Sequence, residues 1–190
     1  MGANFPGPAA CYSPEPRLPF PMSRSTAEHR RQSPESVRAA VITVSDSRKH
    51  DADVGGDLIV KLLTDAGHSV VARHLVPDEP AAIRELLERL VAGGEVDAVL
   101  VTGGTGIARR DQTVDTVAEL LTKSLPGYGE LLRMLSYRQV GPAAMLSRAV
   151  GGVVGDVVVL TMPGSPAAVE LAMTSLIVPE LGHLVYEARR

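Results

Sequence analysis

From Val37 onward the chain alternates short, nearly unbroken apolar runs with longer stretches in which apolar residues recur three and four positions apart. The first pattern belongs to strands buried on both faces, the second to helices with one buried face. Val37 to Val44, Ser69 to Val76, Val96 to Val101 and Val157 to Met162 read as strands. Between them, Ile59, Leu62, Leu63 and Ala66 fall at helical spacing before Gly67 stops the helix. Asp78-Glu79-Pro80 opens a second helix whose Ile83, Leu86, Leu87, Leu90 and Val91 share a face, closed by Gly93-Gly94. Thr113 to Leu121 and Gly129 to Ser136 also read as helical, and Pro166 to about Ala188 as a closing helix that Pro179 is placed to kink. Strand–helix alternation of this kind predicts an α/β fold with a doubly wound parallel sheet and ligands at the carboxyl ends of its strands.

The 190 residues, 45% of them hydrophobic, suffice for one good core rather than two domains. Residues 1 to about 35 differ: seven of the fourteen prolines lie there with Ser, Arg and Glu and few aliphatic residues, so the expectation is a disordered tail followed by one domain over 36–190. Met22 is an alternative start within that tail. A net charge of −3, no Trp and 3% aromatics speak against nucleic-acid partners. Cys11 is the sole cysteine and the five histidines show no ligand spacing, which leaves no disulfide framework or Cys-based zinc site and fits a reducing cytoplasm. No unbroken apolar run approaches the length of a bilayer span, and no signal-peptide core precedes the domain, so no membrane association is expected.

The candidate chemistry follows the strands. Ser45-Asp46-Ser47 comes after the first, Pro77-Asp78-Glu79 after the second, and Pro163-Gly164-Ser165 after the last. The third runs into Gly103-Gly104-Thr105-Gly106, then Arg109, Arg110 and Asp111. Three glycines in four residues let backbone N–H groups approach a phosphate, and the nearby acid suits a metal ion. Neither the Walker A lysine nor the third glycine of the dinucleotide fingerprint is present. Local sequence leaves alternatives open: Asp78 and Asp111 each sit near a helix start and would serve as caps, and Pro163-Gly164-Ser165 is a common way into a helix.

Taken together, several segments resemble the MoaB/MogA family of molybdenum cofactor biosynthesis proteins over roughly Arg38 to Arg190. They are Thr43-Val-Ser-Asp46, Val76-Pro-Asp-Glu79, Thr102-Gly-Gly-Thr-Gly106 with Arg110-Asp-Gln-Thr113, Pro126-Gly-Tyr-Gly-Glu130, Met145-Leu-Ser-Arg148 and Met162-Pro-Gly-Ser165. Arg133-Met-Leu-Ser-Tyr137 and Leu146-Ser-Arg-Ala-Val150 are similar to the MoaB branch. The resemblance implies a three-layer α/β/α fold with a mostly parallel sheet. It also implies adenylylation of molybdopterin by ATP with release of pyrophosphate and with Mg²⁺ as cofactor.

On that resemblance Asp78 and Asp111 are the catalytic acids and the Mg²⁺ ligands. Ser45, Asp46, Gly103, Gly104, Thr105, Gly106, Arg110 and Ser147 would contact substrate or nucleotide, and Pro163, Gly164 and Ser165 would shape the pterin end. It further implies a homo-oligomer, a trimer or a dimer of trimers, and hand-off of product to a molybdenum-inserting protein. Two positions depart from the family pattern: Thr161 stands where many members carry Asn, and Asp53-Val-Gly-Gly56 replaces an Asp-x-Ser-Gly pattern. A non-catalytic molybdopterin binder of the same fold, and a nucleotide pyrophosphatase related to competence-damage proteins, are the alternative functions.

Overall fold

A computed structural model describes residues 30–46 and 53–190. Cys11, His29, Met22, Ser47, His50 and most of the expected tail lie outside the described residues. The elements are β1 (Arg38–Val44), α1 (Val54–Asp65), β2 (Ser69–Val76), α2 (Pro80–Ala92), β3 (Ala98–Thr102) and α3 (Thr113–Leu120). The short strand β4 (Lys123–Ser124) and α4 (Pro126–Val140) follow, then a 3₁₀ segment at Gly141–Leu146. The chain closes with β5 (Gly151–Val154), β6 (Val157–Met162), α5 (Pro166–Ala172), a π turn at Met173–Ile177 and α6 (Val178–Ala188).

The strands form one six-stranded sheet in the order β2-β1-β3-β6-β5-β4. The first four pair in parallel, while β5 runs antiparallel to β6 and to β4. The chain is therefore α/β with a mostly parallel sheet. Side-chain alternation along the central strands creates two cores. Ala39, Val41, Ala98, Leu100, Val158 and Leu160 face a layer holding Ile59, Leu63, Leu132, Val169, Ile177 and Leu181 of α1, α4, α5 and α6 with the π turn between them. Ala40, Ile42, Val99, Val101, Val157 and Val159 face Ile83, Leu86, Leu87 and Val117 of α2 and α3. Because both faces are covered, the central strands need no polar positions, which is why they read as continuous apolar runs.

The four long strands appear within two residues of their expected bounds. The antiparallel β4–β5 pair was not expected from the sequence. Two residues of β4 and the glycine-led Gly151–Val154 carry no strand period of their own, so pairing of β5 with β6, and of β4 with β5, imposes their conformation. The closing helix is interrupted as Pro179 implies: proline offers no N–H to the preceding turn, and a π turn absorbs the mismatch, with the Val178 N–H donating to the Met173 carbonyl. The stretch Pro166–Ala188 has a mean hydropathy of 1.3 over its most apolar window, enough by length and composition to cross a bilayer. Val169, Met173, Ile177, Leu181 and Val185 are nonetheless buried against the sheet, which makes it a core helix.

Of the expected tail, the last residues are described and they pack. Arg30 pairs with Glu180, the Tyr186 hydroxyl donates to Gln32, and the Pro34 carbonyl lies against Gly182.

Candidate active site

Sheet order fixes where the site must be. β1 sends its chain to β2 on one side while β3 lies on its other side, so the strand order reverses between β1 and β3 and a crevice opens at their carboxyl ends. Gly103 sits in that crevice at φ +102°, and a Cβ there would fall 2.1 Å from the Val44 carbonyl oxygen. Only glycine lets β3 turn so close to β1. Gly104, at φ +60°, is hemmed in on its other side, where a Cβ would lie 2.3 Å from Oδ2 of Asp78 and 2.1 Å from Oγ1 of Thr113.

The loop borders an open cleft of about 550 Å³. Ser45, Gly103, Gly104, Thr105, Gly106, Asp111, Ser147, Pro163, Gly164 and Ser165 all line it. Asp46, Asp78 and Arg110 do not, and the structure places them behind or beside the loop. The far wall is largely apolar and comes from Val140, Ala143, Ala144 and Leu146 at the end of α4 and the 3₁₀ segment, with Ala167, Ala168 and Leu171 of α5. The sequence reading missed Ser136, Gln139 and this wall, because no local pattern marks residues that reach a site only through tertiary placement.

The two acids divide sharply. Asp111 presents its carboxylate at the cleft while Oδ2 accepts the Ala108 N–H at 2.8 Å, and the Asp111 N–H donates back to the Ala108 carbonyl at 3.0 Å. It braces its own turn and does not cap α3, whose first turn has no side-chain cap. Asp78 is 7% exposed. Its Oδ1 accepts the Gln112 N–H at 3.1 Å and the Thr113 hydroxyl at 3.4 Å, so it serves the start of α3 rather than its own helix α2. Burial pushes the Asp78 carboxyl above the usual carboxylate range, against the pull of those two donors and with the charges of Asp111 and Asp46 adding to the rise.

Asp46 accepts the Asp78 N–H at 3.0 Å through Oδ1 and Arg110 at 2.9 Å through Oδ2. The Arg110 guanidinium and that N–H hold its carboxyl below the ordinary value. Arg110 also reaches Glu79 at 2.9 Å, so the loops after β1, β2 and β3 are tied to one another through one exposed arginine. Ser165 caps α5 by accepting the Ala168 N–H at 3.3 Å while lining the cleft.

Ser147 is different. Its Oγ is buried and has no hydrogen-bond partner among the described residues. A buried hydroxyl with nothing to bond is uncommon in a folded protein and calls for a partner that the described residues do not supply. Among the described residues no cluster of three or more His, Cys, Asp or Glu could cage a metal. What the cleft offers among its described lining is a single carboxylate, Asp111, beside hydroxyls and backbone donors. That donor set fits Mg²⁺, which keeps most of its waters and shares the rest of its coordination with phosphate oxygens.

The family described as "Probable molybdopterin binding domain" matches residues 40–183. The chain belongs to that family. Its relatives include a Molybdenum cofactor biosynthesis protein B from Bacillus cereus, 46% identical over 167 residues that span 87% of this chain and 99% of the relative. Among solved structures, a Molybdenum cofactor biosynthesis protein B matches with a TM-score of 0.80 at 46% identity, covering 84% of this chain and 99% of the other. The tungsten cofactor synthesizing protein MoaB from Pyrococcus furiosus matches with a TM-score of 0.72 at 35% identity, over 83% of this chain and all of the other. The family's three-layer fold is thus the one this chain adopts.

Within this family member one of the two departures from pattern, Thr161, has a structural explanation. Thr161 does not face the cleft: its Oγ1 accepts the Val150 N–H at 2.8 Å and donates to the Val150 carbonyl at 3.0 Å, stitching the start of β5 to β6. Asp53 is 1% exposed and caps α1 through the Gly56 N–H, while Thr43 and Arg73 hold its other oxygen at 2.7 and 2.9 Å. A Cβ on Gly56, the glycine that the family pattern shares, would collide with that carboxylate, whereas Gly55, which stands in place of the pattern's Ser, has no structural explanation.

Proposed function

We propose that this protein acts in molybdenum cofactor biosynthesis as a molybdopterin adenylyltransferase, transferring AMP from Mg-ATP to the terminal phosphate of molybdopterin. Membership of the family and likeness to Molybdenum cofactor biosynthesis protein B support the pathway. The observation that carries the finer reading is the orphaned Ser147 Oγ beside the glycine-rich loop, in the same cleft as the Asp111 carboxylate. A hydroxyl and loop N–H groups suit a phosphate, the apolar wall suits a flat heterocycle, and the acid suits a cation bound to a polyphosphate.

In the reaction a molybdopterin phosphate oxygen forms a bond to the α-phosphorus of ATP as the bond to the pyrophosphate oxygen breaks. Both partners are anionic, so the chemistry turns on charge neutralisation and positioning. Asp111 would hold Mg²⁺, which supplies that neutralisation when bound. Asp78, behind the loop, adds negative charge and fixes the loop's shape. Ser147, Thr105 and the N–H groups of Gly104 and Gly106 would hold the phosphate, with Ser45 and the segment Pro163, Gly164 and Ser165 at the edges of the cleft. Asp46 and Arg110 would keep the three loops in register.

We further propose a cytoplasmic homo-oligomer, trimer or dimer of trimers. Its interface would be the exposed apolar face formed by Leu131, Met134, Tyr137, Val140, Met145 and Leu146.

The test is pyrophosphate release from Mg-ATP with and without molybdopterin, for the unmodified protein and for Asp111→Asn. Release that depends on molybdopterin, and that falls on the order of a hundredfold in the variant, is expected. Release independent of molybdopterin would indicate a pyrophosphatase, and binding of molybdopterin without release would indicate a carrier.

A further inference from the structure

We infer that Arg148 is a positioning residue that grips the glycine-rich loop from behind and sets the angle at which Asp111 and the loop N–H groups meet the ligand. Its function rests on the reading of the cleft as a phosphate site. Its geometry does not.

Arg148 uses its backbone and its whole guanidinium on one short segment. The backbone N–H donates to the Thr105 carbonyl at 3.1 Å, and Nε donates to the Gly106 carbonyl at 2.7 Å. Nη2 donates to the Asp111 carbonyl at 2.7 Å, and Nη1 binds both carboxylate oxygens of Asp115 at 3.0 and 2.9 Å. One side chain thus spans both ends of the loop and anchors it to the first turn of α3. Arg148 lines a second cavity, between α3, α4 and β5, and not the cleft.

Peptide planarity converts this grip into orientation. In a trans peptide the C=O and the following N–H point opposite ways. The carbonyls of Thr105 and Gly106 are drawn back to Arg148, so the N–H groups of Gly106, which lines the cleft, and of Ile107 turn away from it. At Asp111 the consequence is visible on both sides of one peptide: the carbonyl is held by Arg148 at 2.7 Å and the Gln112 N–H by Asp78 at 3.1 Å. That peptide is clamped, and the Asp111 side chain leaves the backbone immediately beside it. The residue before Arg148 is Ser147, so the same bonds also locate the orphaned hydroxyl. Lysine cannot reproduce this arrangement, because a single ammonium lacks the planar fork that reaches two separate carbonyls and a carboxylate at once.

The experiment compares Arg148→Met, which keeps the aliphatic stem and removes the donors, with Arg148→Lys and Asp115→Asn in the full chain. Amide hydrogen exchange is read by mass spectrometry on peptides covering Gly103 to Thr113, and pyrophosphate release is followed in parallel. In Arg148→Met, loop exchange is expected to rise at least tenfold relative to β3 and β6. The kcat should fall at least tenfold, with KM for ATP within threefold. Arg148→Lys should recover part of both changes. Asp115→Asn, which leaves the carbonyl bonds in place, should stay within threefold of the unmodified protein. If Arg148→Met does not fold, Arg148→Lys carries the same comparison with smaller changes. Loop exchange unchanged in the folded variants would overturn the clamp, and raised exchange with unaltered kinetics would overturn its positioning role. If the unmodified protein releases no pyrophosphate, the adenylyltransferase reading fails on its own. Calorimetric affinity for molybdopterin then replaces kinetics, and an unaltered molybdopterin affinity in Arg148→Met sinks the positioning role.

Discussion

Asp78 carries a charge in a place that disfavours it, and the arrangement has a measurable consequence. Its carboxyl is raised above the ordinary value of 3.8, chiefly by burial. Well below that pH both folded and unfolded chains hold the proton. As pH rises the unfolded chain ionises first, so stability declines until the native group has also ionised, and the loss then stays constant. Asparagine keeps an acceptor for Gln112 and Thr113 but carries no charge. Asp78→Asn is therefore expected to melt above the unmodified protein at pH 7, with the gap closing toward pH 4, in thermal melts across that range. Equal melting temperatures throughout would show that the buried charge costs nothing. Asp97 has the opposite sign: burial would raise it, but Arg38 and Arg189 together hold it below the ordinary value, so its contribution is present above that value and lost on acidification. Gly103 gives a second residue-scale prediction. A side chain there needs φ +102° and meets the Val44 carbonyl at 2.1 Å. Gly103→Ala should cost more than about 2 kcal/mol in denaturant unfolding, through backbone strain and displacement of β1 from β3.

Among the elements, what the sequence made legible was what local pattern alone determines. β1, β3 and β6 are buried on both faces and so announced themselves as apolar runs, and α2 showed its buried face through Ile83, Leu86 and Leu87. β5 and the 3₁₀ segment depend on contacts distant in sequence, and neither has a period to read. The site divides in the same way. Glycines and acids after strands were visible, whereas the separation of Asp111 in the cleft from Asp78 behind the loop depends on which of two similar carboxylates the fold buries. Arg148 gave no signal beyond its place in a family segment. At the amino end Arg30, Gln32 and Pro34 pack on α6, contacts that composition does not mark. A chain beginning at Arg30 should therefore melt above one beginning at Glu35. Exposed pairs of this kind contribute up to about 1 kcal/mol, or a difference of about 2–4 °C by calorimetry. Identical melting temperatures would mean that these contacts add no stability.

On the scale of the whole molecule, one surface gathers exposed apolar side chains, and the proposed assembly would cover it. α4 buries Tyr128, Gly129 and Leu132 against the sheet. Its outer side carries Leu131, Met134, Tyr137 and Val140, from 47% to 61% exposed, and the 3₁₀ segment continues the surface with Met145 at 75% and Leu146 at 49%. Single exposed apolar residues are ordinary, but six on adjoining elements make a patch of the kind that marks an interface. The same elements supply the apolar wall of the cleft through Val140, Ala144 and Leu146, so a second copy seated there would also bear on the site. Sedimentation velocity at tens of micromolar should find a trimer or hexamer, with a melting temperature that falls on dilution. Met134→Glu combined with Tyr137→Glu places two like charges at the centre of the patch, where removal from water is expensive and no pairing partner has been added. That double variant should sediment as a monomer while keeping its far-ultraviolet circular dichroism, since neither side chain enters the core. An unmodified protein that sediments as a monomer, or a variant that assembles as before, would show that this face is not where copies of the chain meet.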